Sequence, residues 1–223
     1  MSPVDAPDDG PVGRPVGPPV GRTVAAVLAG RPWGARLVEQ PLVQPDHRSC
    51  GAAVLVLARA LTDEGYAELL VTGRHPRTDV TLDGPLVDRF HQEVLALHRR
   101  VTGPVDVRGR LQLPWPRVIG TPPWAVAGQL GASYTTRAVL PARRESAYDT
   151  ILTGLGHQRP VALFVGNRRL PRHVVLTLAG DERRLVVYDP GHGLMAEVPR
   201  DSFAGARLRV SGWDVPWFVV TPA

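Results

Sequence analysis

The chain has no lysine. All 26 of its basic residues are arginines, set against 21 acidic residues, for a formal charge of +5. The arginines are scattered, with pairs at 99–100, 143–144, 168–169 and 183–184, and no long basic tract or basic–aromatic ladder forms. That excludes the usual surface for a nucleic-acid groove. Cysteine is nearly absent too. Cys50 stands alone, so there is no internal disulfide and no cysteine-pair metal site, and a free thiol fits a reducing cytoplasm. No run of 18 or more apolar residues exists, which leaves nothing to span a membrane as a helix. The first residues are acidic and proline-rich and lack the basic and apolar regions of a secretory signal. The expectation is a cytoplasmic chain that engages neither membrane nor nucleic acid. At 43 % hydrophobic residues over 223 positions, it can bury a real core in one domain.

What is present centres on the lone cysteine. Gln44-Pro45-Asp46-His47-Arg48-Ser49 is polar and turn-forming, and from Gly51 to Leu61 the chain turns apolar. This change reads as a mostly buried helix capped near Ser49 or Asp46, with Cys50 in its first turn. Free N–H groups and the helix dipole favour negative charge on sulfur there. A cysteine nucleophile also needs a base and donors for an oxyanion. Gln44 lies six positions upstream (50 − 44), within reach of the helix start. His173 heads the strand-like run His173–Leu178, and Leu185–Tyr188 follows, ending in Asp189-Pro190-Gly191. A hairpin turning at Ala179–Arg183 brings His173 and Asp189 together. His192 is a rival base, but it sits between glycines in a turn. Asn167 is a rival orienting group, but it lies in a loop.

This order of Gln, then Cys-Gly on a helix, then His-Val-Val, then Asp-Pro-Gly resembles the papain-like cysteine peptidases. Within them it is most similar to the bacteriocin-leader (double-glycine) peptidase family. The resemblance covers 40–62 and 158–203. It implies an α+β, papain-like fold, with an N-terminal helical half carrying the nucleophile helix packed on a C-terminal antiparallel sheet. It also implies Cys50 as nucleophile, His173 as base, Asp189 as orienting residue and Gln44 in the oxyanion hole. The expected substrate is a peptide or protein, and neither metal nor organic cofactor is required. An acyltransferase or transglutaminase-like enzyme would use the same triad. A catalytically silent peptide-binding module would hold Cys50 and His173 out of hydrogen-bond reach.

Along the chain, residues 1–22 repeat Pro-Val-Gly and read as a disordered tail, and 23–223 as one domain with a Pro-rich insertion around 103–123. Thr23–Ala29 reads as a short helix or strand, and Arg36–Val43 as an extended approach. Helices are expected over Asp63–Leu70, Pro85–Val101, Trp124–Leu130 and Glu145–Leu155. His91 and His98 are read as a solvated face of the second of these rather than a metal site. Trp115 and Trp124 are read as anchors packing a loop on the core. Strands are expected over Thr135–Leu140, Pro160–Val165, His173–Leu178, Leu185–Tyr188, Leu208–Val210 and Trp217–Val220.

Overall fold

The computed structural model describes residues 33–38, 40–105, 111, 120–157 and 159–223. The tail 1–22, the segment Thr23–Ala29 and most of the Pro-rich stretch, Trp115 included, lie outside the described residues. The fold is α+β. A short helix α1 (Gly34–Val38) precedes α2 (Cys50–Thr62), α3 (Glu64–Thr72), α4 (Leu86–Val101) and α5 (Pro123–Leu130). Then come β1 (Tyr134–Ala138), α6 (Arg144–Gly156), β2 (Val161–Gly166), β3 (Pro171–Gly180), β4 (Arg184–Asp189), β5 (Leu194–Pro199), α7 (Arg200–Ala204) and β6 (Val215–Pro222). The six strands form one sheet in the order β1-β6-β2-β3-β4-β5, with every neighbouring pair antiparallel.

Both faces of the sheet are covered, which explains why its central strands are apolar runs with little alternation. Ala162, Phe164, Val174, Leu176, Val186 and Tyr188 point into a core shared with α2–α5. Leu163, Val165, Val175, Leu185 and Val187 point into a second core with α6 and α7. Helix α2 is buried from Cys50 through Ala58, so it is an interior helix of small and aliphatic residues. It packs on α3, α4, α5 and β3.

Four expectations need correction. The approach to Cys50 is not extended throughout, because Gly34–Val38 forms a helical turn, held by Leu37 at 2 % exposure, before the chain straightens. Leu208–Val210 is not a strand of the sheet. It is a turn closed by a single bridge between Val210 and Trp213. Leu208 and Val210 are apolar because they are buried, not because they pair. His91 and His98 are not a solvated face. His98 is buried, and half-buried His91 bonds the Val43 carbonyl through Nε2 at 3.0 Å. Trp124 in the first turn of α5 is 46 % exposed rather than sunk into the core.

Candidate active site

Cys50 opens α2. Ser49 stands at the N-cap, yet no side chain caps the helix. The Ser49 hydroxyl donates instead to the Asp46 carbonyl at 3.2 Å, and Asp46 Oδ1 accepts from the Arg48 N–H at 2.8 Å. The turn is thus self-contained, and the first-turn N–H groups keep no side-chain acceptor, which suits an anion at this end. Gly51 is glycine for space: a Cβ there would come within 2.5 Å of Thr121 Cβ. The 120–122 segment closes against the helix start in that gap.

His173 lies on β3 opposite Val165, the next pair in from the last residue of β2. Asp189 ends β4, the next strand. The hairpin expected from sequence is formed, with its turn at 181–183 between Gly180 and Arg184. His173 Nε2 and Asp189 Oδ1 are 2.7 Å apart, and both side chains are about 95 % buried. Cys50 is close enough to His173 to act on the charge of its ring. With Nε2 committed to Asp189, Nδ1 is the nitrogen left for the thiol. Burial opposes an imidazolium, but the bond to Asp189, the neighbouring Cys50 and their negative charge outweigh it and push His173 up to about 9. Burial likewise opposes the Asp189 carboxylate. Hydrogen bonds from His173, Ser211 and His192 more than offset it and hold the carboxyl well below its usual range.

Gln44 is held beside this centre by a set of bonds to its own segment. Its N–H donates to the Pro190 carbonyl at 2.8 Å, directly after Asp189. The Tyr188 hydroxyl donates to the Leu42 carbonyl and His91 to that of Val43. The side-chain amide donates to the Asp46 carbonyl at 2.6 Å through Nε2, which keeps a second N–H, while Oε1 is buried without a partner. Asn167 does not compete with Asp189. Its Oδ1 caps its own turn, accepting from the N–H groups of Arg169 and Leu170.

Sequence reading missed the residues that support this constellation. Ser211 donates to Asp189 Oδ2 at 2.7 Å, and the Gly191 N–H donates to Oδ1 at 2.9 Å. The Ser211-Gly212 dipeptide is a turn signal that could have flagged the first. Among the described residues no group of three or more His, Cys, Asp or Glu is placed to hold a metal ion. Among the described residues no helix is long and apolar enough to cross a membrane.

No protein-family model matches the chain, and no curated protein does. Among solved structures it is similar to the peptidase domain of Streptococcus ComA, described as a bi-functional ABC transporter involved in a quorum-sensing pathway. The identity is 14 %, the match covers 81 % of this chain and 96 % of that one, and the TM-score is 0.39.

Proposed function

We propose that the chain is a papain-like cysteine peptidase, a hydrolase of amide bonds in a peptide or protein, with Cys50, His173 and Asp189 as its triad. The observation that carries this reading is a buried imidazole bonded to a carboxylate and neighboured by the only thiol, which opens a helix. Chemically, that is an activated nucleophile with its base oriented by a third group.

In this mechanism the Cys50 thiolate attacks the amide carbonyl carbon, and the carbonyl π electrons move to oxygen. The Cys50 backbone N–H and the remaining Nε2–H of Gln44 stabilise that oxyanion. The tetrahedral species collapses as the His173 imidazolium gives its proton to the leaving amine, which departs and leaves a thioester on Cys50. His173, now neutral, takes a proton from water as the water attacks the thioester. Collapse releases the acid, and the proton returns to the Cys50–His173 pair. Asp189 keeps Nε2 engaged throughout and so fixes which nitrogen faces sulfur. A silent peptide-binding module would need Cys50 out of reach of His173, and the influence of Cys50 on the charge of that ring counts against it.

Treatment with an electrophilic acyl probe tests the mechanism. Because Cys50 is the single cysteine, any thiol label reports on it alone. Cys50→Ala should abolish labelling and His173→Ala should reduce it by orders of magnitude. Full labelling of either variant sinks the proposal.

A further inference from the structure

Asp189 accepts more bonds than a triad requires. Oδ1 faces His173 Nε2 and the Gly191 N–H, while Oδ2 faces Ser211 Oγ at 2.7 Å and His192 Nδ1 at 3.0 Å. Ser211 comes from a turn 22 residues further along the chain, so nothing local brings it there. Its backbone is held at φ 49°, the left-handed region that a residue with a Cβ rarely adopts. Three such non-glycine residues occur among the described residues, Ala206, Arg209 and Ser211, all between α7 and β6. Ser211 is the one whose side chain reaches the triad carboxylate. The turn is pinned from both sides: Leu208 N–H donates to the Asp214 carbonyl at 3.1 Å and Asp214 N–H to that of Gly166 at 3.2 Å, where β2 ends beside β3. The gap is also cleared for the hydroxyl. A Cβ on Gly191 would stand 2.6 Å from Ser211 Oγ, 3.2 Å from Asp189 Oδ1 and 3.6 Å from His173 Cε1.

Resting on the peptidase reading, we infer that Ser211 is a positioning residue of the site, its hydroxyl holding the Asp189 carboxylate so that Oδ1 stays on His173 Nε2. The strained backbone is kept because the hydroxyl is needed there. Glycine would suit the turn better, and outliers of this kind gather where function overrides local preference. Without the donor, the carboxylate is free to rotate toward His192 and solvent. The imidazolium then loses stabilisation, and so does the thiolate that faces it. The titratable groups that bear on this are Cys50 from α2, His173 from β3, and Asp189 and His192 from the end of β4 and its turn.

Alkylation of Cys50 by iodoacetamide across pH, together with thermal melting, tests this in the full chain. Ser211→Gly should melt at the same or a higher temperature, yet the acid limb of its alkylation profile should move up by about one pH unit, so that it reacts about tenfold more slowly on that limb. Ser211→Ala should show the same shift. Ser211→Thr keeps the donor but puts a β-branched residue at positive φ, so it should melt lower while retaining the wild-type profile. If the Gly and Ala variants alkylate on the wild-type profile while His173→Ala does not, the role of Ser211 is refuted and the triad stands. If His173→Ala also leaves the profile unchanged, the peptidase reading falls and takes this inference with it.

Discussion

Cys50 and His173 face each other but are anchored by different forces. Cys50 rides on a helix buried along its first nine residues, between the sheet and three other helices, and its place follows from shape. Gly51 marks how closely that shape is cut, with Thr121 filling the space a side chain would take. The His173 end is anchored by directional bonds instead: one from its ring to Asp189, and three more donors, Gly191, Ser211 and His192, onto the same carboxylate. Packing is non-directional and tolerates volume-conserving exchange. A buried polar network is sensitive to each missing partner. Losses at the polar end should therefore reach chemistry through orientation and charge, and losses at the packed end should reach it through stability and the course of the backbone.

The largest effect should come from removing the carboxylate. Asp189→Ala leaves His173, Ser211 and Gly191 without their common acceptor in a buried site, at a cost of about 3–5 kcal/mol. It should also slow Cys50 alkylation by about a hundredfold or more. The pH dependence sharpens the point. His173 is raised from 6.5 to about 9, so its contribution is complete below pH 6.5 and is lost as pH rises through about 9, a change on the order of 3 kcal/mol. Asp189 is depressed, so its contribution is present above its ordinary 3.8 and is lost as pH falls below it. Stability from the pair should thus be greatest between about pH 4 and 6.5. Urea midpoints measured across pH should fall on both sides in the wild type and less steeply on both in Asp189→Ala, where Cys50 still favours the His173 imidazolium and Asp46 and Asp181 are still depressed. Retention of either slope in full would show that another group is responsible.

The junction of the two anchors is the next place to break. Gly193 has φ 66°, and a Cβ there would come within 2.8 Å of the backbone at Pro41, Leu42 and Val43, the segment that leads into Gln44. Backbone atoms cannot rotate away as a side chain can. Gly193→Ala should therefore cost about 2–4 kcal/mol through strain and overpacking together. It should also displace Gln44, so that turnover of a peptide substrate falls further than simple thiol alkylation, which needs no oxyanion hole. Equal losses in the two assays would argue that Gln44 holds no oxyanion.

The same contrast separates what was legible in the sequence from what was not. Helix α2 could be read because Gly51–Leu61 is continuously apolar, and β2–β4 because their runs end at turn residues. His173 and Asp189 were legible because each borders such a run, and a hairpin's geometry does the rest. Ser211 was not legible. Leu208 and Val210 alternate like a strand, but alternation records burial, and here it arises from a turn whose backbone at Arg209 and Ser211 is left-handed. His98 was misread for the converse reason: its spacing places it on a polar helix face, and tertiary packing buries it. Helix α1 was missed because five residues carry little propensity signal, and it is the burial of Leu37 that holds the turn.

The smallest effect should come from His192, and its size decides which histidine is the base. His192 Nδ1 lies 3.0 Å from Asp189 Oδ2, but the side chain is 64 % exposed and shares that oxygen with Ser211. An exposed pair of this kind contributes less than about 1 kcal/mol. His192→Ala should leave the urea midpoint nearly unchanged and alkylation of Cys50 within about twofold of wild type, equivalent to about 0.4 kcal/mol. The asymmetry follows from place, not from chemistry. Both imidazoles touch the same carboxylate, but only His173 is buried and neighboured by the thiol as well. A loss in His192→Ala as large as that in His173→Ala would reverse the assignment and make the turn histidine the proton carrier.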